Sequence, residues 1–183
     1  MTGPRIIAGA WKGRKLAAPA GLETRPTGTR ARQAVFDILM HAHWAGAEFL
    51  RAAAVLDVFA GTGAYGLEAL SRGAASVSFI EQAPAALMAL RQNIAACKAE
   101  STTRIIAGDA LAQHSGHPHQ LIFLDPPYGN NLVPKALAAL FPRNWIAPNA
   151  ILIAELGPED KFTLPETLAE RAHGKARLIF GRL

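Results

Sequence analysis

Val55-Leu56-Asp57-Val58-Phe59-Ala60-Gly61-Thr62-Gly63-Ala64-Tyr65-Gly66 sets four apolar residues around one carboxylate and then runs into three glycines. The stretch predicts a buried strand, a tight turn and the start of a helix. Gly61, Gly63 and Gly66 spell GxGxxG, and Glu81 stands twenty residues beyond Gly61, which is also the spacing of a dinucleotide fingerprint. Glu81 does not discriminate between ligands, because it would accept hydrogen bonds from any nucleoside's ribose hydroxyls. Asp57 does. A carboxylate at the mouth of the strand repels a pyrophosphate but attracts a sulfonium or an ammonium, by ~4 kcal/mol at about 4 Å and an effective dielectric near 20, before screening. Asp57 can also cap the turn by accepting backbone N–H groups, a duty compatible with ligand contact.

Outward from this stretch the pattern repeats. Strands are expected at 55–59, 77–81, 104–107, 121–124 and 151–155, and helices at 66–72, 84–98 and 133–140. Strands apolar on both faces, alternating with helices, predict a mostly parallel α/β sheet covered on both sides. Residues 168–183 predict a terminal hairpin whose last strand is 177–180. Upstream, 5–25 alternates short apolar pieces with Gly9, Gly13, Pro19 and Gly21, as a small β-hairpin does. A helix follows from Thr27 or Thr29, with Ala31, Ala34, Val35, Ile38 and Leu39 as its apolar stripe and Arg32 and Gln33 off it. Residues 41–51 read as a connection. Two parts are therefore expected: a basic hairpin-and-helix extension over 1–45, packed on the core, and the α/β domain over 46–183.

Composition bounds the function. A chain of 183 residues, 50% of them hydrophobic, supports one core, and its apolar runs are too short to span a membrane. The first residues lack the apolar stretch of a secretory signal, so a cytoplasmic location is expected. Cys97 is the single cysteine, which excludes an internal disulfide and a cysteine-based zinc site. His114, His117 and His119 are irregularly spaced beside Gly116 and Pro118 and read as a solvated loop, so no metal is expected. Trp11, Trp44 and Trp145 read as packing anchors. Charge is placed unevenly: residues 1–36 hold seven cations against Glu23 alone, a net +6, whereas the remaining twelve cations face thirteen acids. A cationic arm on a near-neutral body suits a polyanion, because each Lys or Arg that neutralises a phosphate releases condensed counterion.

A second motif, Asp125-Pro126-Pro127-Tyr128, follows the apolar run Leu121-Ile122-Phe123-Leu124. Two prolines stiffen the backbone and remove two N–H donors, so the loop presents acceptors. An amine nucleophile needs acceptors: the Asp125 carboxylate and the Pro126 carbonyl can each take one N–H and aim the nitrogen lone pair. Tyr128 offers an aromatic face for a flipped base, worth ~1–3 kcal/mol. If the glycine turn and this loop end two strands of one parallel sheet, they open onto the same edge.

Leu56-Asp57-Val58-Phe59-Ala60-Gly61-Thr62-Gly63 resembles the cofactor motif of the Rossmann-like class I methyltransferases, and the Asp-Pro-Pro-Tyr loop resembles the signature of enzymes that methylate base amines. Arg5-Ile6-Ile7-Ala8-Gly9, Trp11-Lys12-Gly13-Arg14-Lys15-Leu16, Thr24-Arg25-Pro26-Thr27, Arg30, Leu70-Ser71-Arg72-Gly73-Ala74 and Gly174-Lys175 extend the likeness over nearly the whole chain. Together they are similar to the RsmD family, which methylates the N2 amine of a guanine in 16S ribosomal RNA. The resemblance implies a seven-stranded, mostly parallel sheet and S-adenosylmethionine as cofactor. It places Asp57 and the backbone of Gly61 and Gly63 at the methionine portion, Glu81 at the ribose and Asp109 at the adenine amino group, with Phe59, Ala60 and Ala110 also among the cofactor-binding residues. Asp125, Pro126, Pro127 and Tyr128 would hold the target amine, Asp125 also touching the cofactor. Arg5, Lys12, Arg14, Lys15, Arg25, Thr27 and Arg30 would meet RNA. The implied partner is 16S ribosomal RNA, within an assembling small subunit, bound by a monomer with no membrane attachment.

Three other readings are kept. A DNA adenine or cytosine amino methyltransferase shares the chemistry but calls for a longer target-recognition insert. An RNA-binding module on a Rossmann-like core would bind nucleic acid and no S-adenosylmethionine. A nicotinamide dehydrogenase would share the glycine turn alone.

Overall fold

β1 (Ala54–Val58) lies at the centre of a seven-stranded sheet, flanked by β2 (Ser76–Glu81) and β4 (His119–Leu124). The strand order is β3-β2-β1-β4-β5-β7-β6, with β3 (Thr103–Ala107) and β5 (Ile146–Leu156) completing the parallel part. β6 (Glu166–His173) and β7 (Ala176–Arg182) form an antiparallel hairpin on the edge. This is the class I methyltransferase-like arrangement. The order reverses between β1 and β4, and there the carboxyl ends of the strands part to leave a crevice. The computed structural model describes residues 3–19, 26–127, 130–174 and 176–183, the side chains of Pro26, Thr27 and His173 aside.

Alternating residues of each parallel strand feed two apolar layers, as period-2 side-chain geometry requires. On one face Val55, Phe79, Leu121, Phe123 and Ile153 pack with residues of α1 (Pro26–His41), α2 (Gly46–Ala52), α3 (Ala64–Ser71) and α4 (Pro84–Cys97). Ile6 and Leu16 of the N-terminal segment belong to the same layer. On the other face Leu56, Val58, Ile80, Ile122 and Leu124 meet α5 (Leu132–Leu140) and Trp145. Among the described residues no helix is long and apolar enough to cross a membrane.

Four local expectations need correction. Residues 46–52 form α2 rather than plain connection, anchored by buried Leu50. The buried face of α1 is rotated: Ala31, Arg32, Val35, Phe36 and Leu39 are buried, while Ala34 and Ile38 are only partly so. The rotation brings Arg32 over Glu68 of α3 and sets Phe36 under the Arg72 guanidinium, 4.8 Å from the ring centroid. β5 is also twice as long as expected, running from Ile146. His119 is the first residue of β4 and not a loop side chain. Its ring stacks on Trp145 at 5.8 Å and is hydrogen-bonded to the Trp145 carbonyl at 3.0 Å and to Ser78 Oγ at 2.9 Å. Burial holds its imidazole below the usual range. His114 and His117 are at least partly exposed, as expected of the loop.

The N-terminal hairpin is short. Arg5 and Lys15 form one antiparallel bridge, with Ile6 N–H donating to the Arg14 carbonyl at 3.0 Å and Leu16 N–H to the Pro4 carbonyl at 2.8 Å.

Candidate active site

The turn after β1 is held by carboxylates. Asp57 Oδ2 accepts the Gly66 N–H of α3 at 2.9 Å. Glu81, at the end of β2, accepts the Gly61 N–H through Oε2 at 2.7 Å and the Gln82 and Ala83 N–H groups through Oε1, both at 2.8 Å. Phe59 sits at φ 60° and Gly63 at φ 77°. A left-handed Phe is strained by roughly 1–3 kcal/mol, and such strain concentrates at functional sites. Gly66 is needed for another reason: a Cβ there would come within 2.4 Å of the Phe79 ring and 2.7 Å of Val77. The two acids found in the sequence therefore shape the turn with their own oxygens, and both also line cavities.

Two cavities flank this turn and share Phe59 and Asp125. The first, about 250 Å³, is bounded by Arg32, Asp57, Gly61, Tyr65 and Asp125, with Pro4 and Ala18 of the N-terminal segment closing one wall. The second, about 420 Å³, is bounded by Glu81, Asp109, Ala110, Asp125, Pro127 and Leu132. Asp109 accepts the Leu111 N–H at 2.9 Å and thereby starts a short 3-10 turn that tucks Ala110 against the sheet. Ala60 lines the first cavity. Pro126 is buried behind the rim. Asp57, Phe59, Ala60, Gly61, Glu81, Asp109, Ala110, Asp125 and Pro127 are thus brought together around one crevice, while Gly63 turns inward against Leu90 and Phe79.

Electrostatics differ sharply within it. Burial pushes the Asp57 carboxyl up to about 8, against the Gly66 N–H bond; Asp125 and Glu81 add to the rise and Arg32 opposes it. Tyr65, stacked on Phe123 at 5.1 Å, has its phenol driven well above its ordinary value by burial and by the negative charges of Asp125 and Glu155. The register that pairs Leu124 with Ala154 sets Asp125 and Glu155 one step further along β4 and β5, and a small cavity touches both.

Arg32, Tyr65, Glu68, Asn93 and Glu155 were missed by pattern reading. Glu68 is fully buried and accepts the Ile7 N–H at 2.7 Å, the Ala8 N–H at 3.1 Å and Arg72 Nε at 2.7 Å. Asn93 accepts the Ala17 N–H at 2.6 Å and donates to the Thr62 carbonyl at 2.9 Å, tying the N-terminal segment to the glycine turn. The available signal was an acid inside the apolar run Gly66-Leu67-Glu68-Ala69-Leu70, which demands a buried partner.

Arg5, Lys12, Arg14, Lys15 and Arg30 are exposed and do not line the cavities. Arg14 also bonds the Ala96 carbonyl at the end of α4. Arg25 and Tyr128 lie outside the described residues, as does the side chain of Thr27. Among the described residues no three metal-ligating side chains converge.

The comparisons agree with one another. Residues 4–181 match the family model described as conserved hypothetical protein 95. Ribosomal RNA small subunit methyltransferase D of Haemophilus influenzae is 36% identical over 167 residues, covering 88% of this chain and 83% of that one. The protein of the same name from Escherichia coli K12 is 38% identical over 153 residues, covering 82% and 73%. The solved structure of the putative methyltransferase yhhF from Escherichia coli superposes with TM-score 0.84 at 35% identity over 98% of this chain and 97% of that one. A solved structure from Thermus thermophilus gives TM-score 0.74 at 27% identity over 98% and 99%. A family match spanning most of the chain and relatives at this identity, on a sheet of this order, place the chain in the RsmD family of small-subunit ribosomal RNA methyltransferases.

Proposed function

We propose that the protein transfers a methyl group from S-adenosylmethionine to the N2 amine of a guanine in 16S ribosomal RNA, by direct displacement. The observation that carries this reading is the meeting of two cavities at Phe59 and Asp125. The larger, with Glu81 and Asp109, suits an adenosine: a carboxylate for ribose hydroxyls and another beside the base. The smaller, with Asp57 and Arg32, suits a zwitterionic amino-acid head. The residues present therefore fit the cofactor, whose sulfonium supplies an activated methyl group.

Asp125 stands on the shared rim, where its carboxylate and the Pro126 carbonyl accept the amine's two N–H groups and aim the lone pair. Orientation of this kind can contribute on the order of 7–11 kcal/mol at the extreme. Asp125 also disperses the positive charge that grows on the nitrogen. Tyr128 supplies a face for the flipped guanine. Residues 1–45 act as the RNA-gripping extension, with Arg5, Lys12, Arg14, Lys15, Arg25 and Arg30 on phosphates and Thr27 at the RNA side of the site. The enzyme works in the cytoplasm as a monomer on an assembling small subunit.

The test is incubation with labelled cofactor and small-subunit particles lacking the modification, followed by mapping of the labelled base, with total RNA and DNA as controls. Label on a guanine N2 of 16S RNA is expected; label on DNA alone, or none, defeats the reading. Asp125→Ala is expected to abolish turnover while cofactor affinity stays within several-fold, and near-normal methylation by it would remove Asp125 from the mechanism.

A further inference from the structure

β4 and β5 reach the rim of the crevice side by side. Their parallel pairing sets Leu124 against Ala154, and side chains alternate between the two faces of a sheet. Asp125 and Glu155 continue that register towards one face, the face on which Phe123, Ile153 and Leu178 are buried. Tyr65 of α3 covers this row: it stacks on Phe123 at 5.1 Å, lines a small cavity together with both acids, and feels the charge of both. Asp125 is exposed and Glu155 half-buried, so a second, more enclosed carboxylate stands one strand over from Asp125.

Glu155 lies on the substrate side of Asp125. In the strand order it is beyond β4 from β1 and β2, whose ends carry Asp57 and Glu81, and it lines neither of the two larger cavities. Neighbouring strands run about 4.8 Å apart, so carboxylates on adjacent strands can meet adjacent groups of one base edge. Bases differ in what stands beside the amine. In guanine it is N1–H, a second donor; in adenine and cytosine it is a bare ring nitrogen, an acceptor. A carboxylate only accepts, so one placed beside Asp125 bonds guanine and opposes the ring lone pair of the other two. The apolar floor of Phe123, Ile153 and Leu178 strengthens both the bond and the repulsion.

Resting on the reaction proposed above, we infer that Glu155 accepts the N1–H of the flipped base while Asp125 takes its amine, and that this pair of carboxylates selects guanine over adenine and cytosine. Asp125 and the Pro126 carbonyl alone would hold any base amine. Glu155 adds the discrimination that a shared amine-holding loop lacks.

The test uses small-subunit particles assembled on 16S RNA whose target base is either guanine or 2-aminopurine, which keeps the amine but lacks the N1–H. In single-turnover methylation the full-length wild type is expected to favour guanine by ~10-fold or more, the scale of one charge-assisted hydrogen bond. Glu155→Gln should lose most of that preference by slowing on guanine alone. The O6 that 2-aminopurine also lacks is common to both enzymes and drops out of the comparison. S-adenosylhomocysteine affinity should stay within about twofold, because Glu155 lines neither larger cavity. Should Glu155→Gln fail to fold, Glu155→Asp, which draws the carboxylate back from the base, is expected to narrow the preference several-fold. A preference that shrinks through guanine alone, in whichever variant folds, supports the inference. An unchanged preference, equal losses on both bases, or a wild type indifferent to the replacement overturns it and leaves Glu155 a structural residue of the rim. Wild type that methylates neither base defeats the proposed reaction itself, an outcome distinct from the others.

Discussion

Asp57 spends one oxygen on the Gly66 N–H while lining a cavity that also holds Asp125 and Arg32. With its carboxyl raised to about 8, it holds a proton in the native state across a range in which the unfolded chain, titrating near 4, has lost it. The native state then binds more protons, so this group's contribution to stability is complete below about pH 4 and declines as pH rises through 8, by at most ~1.4 kcal/mol per unit. Asp57→Asn keeps an acceptor for Gly66 and cannot ionise. It should therefore be more stable than wild type at pH 8, with the difference shrinking towards pH 4, while binding S-adenosylhomocysteine more weakly. Urea denaturation of both proteins at several pH values measures this, and a pH-independent difference would show that Asp57 does not titrate in that window. At this scale the sequence was informative where chemistry repeats as a motif. Asp57, Glu81, Asp109 and Asp125 stand in or just after strands at recognisable offsets and do gather at one rim. Arg32 and Tyr65 sit in helices, where position along the chain does not reveal which face meets a cavity until the partner helix is known.

α3 carries the glycine turn at its start and the Glu68 clamp in its body, so one helix fixes both the ligand crevice and the N-terminal arm. Removing Glu68 strands Arg32 and Arg72 and frees the Ile7 and Ala8 N–H groups. Breaking a buried pair in this way costs ~3–5 kcal/mol, so Glu68→Ala should lower stability by that amount and expose the arm to protease. Pairing it with Arg32→Met should recover part of the loss, since the uncompensated charge goes too; strictly additive losses in a double-mutant cycle would mean that the two side chains are not coupled. Gly66→Ala tests the packing at the other end of the helix. The Cβ collides with Phe79 and Val77 of the central sheet, and overpacking there should cost ~1–3 kcal/mol in denaturant melts. The central parallel strands β1 and β4 were legible because they are buried on both faces and read as nearly continuous apolar runs, and edge strand β3 was legible from Ile105 and Ile106. α2 was not, because seven residues are too few to display a helical period, and the first half of β5 was hidden by Pro148 and Asn149, which read as a loop.

Across the whole molecule, the arm and the crevice are one mechanical unit. Glu68 and Ser71 hold Ile7, Ala8 and Trp11 onto α3, Asn93 bridges Ala17 to Thr62, and Pro4 and Ala18 close the smaller cavity. Under the proposed function, RNA held by the hairpin would thereby be set at a fixed distance from the crevice. The charge count sharpens with the structure in hand: Arg32 of the seven N-terminal cations is buried in its own network, so Lys12, Arg14 and Lys15, all exposed, carry the proposed phosphate contacts together with Arg5 and Arg30. Each phosphate neutralised on single-stranded RNA contributes about 0.7 to the slope of log affinity against log salt. Changing Lys12, Arg14 and Lys15 together to Ala should then flatten that slope by up to ~2 while S-adenosylhomocysteine affinity holds, because none of the three lines either cavity. Filter binding of small-subunit RNA at a series of salt concentrations reads the slope directly. An unaltered slope with weakened binding would assign these side chains to holding the hairpin in shape, as the bond from Arg14 to Ala96 already does in part, rather than to the RNA backbone.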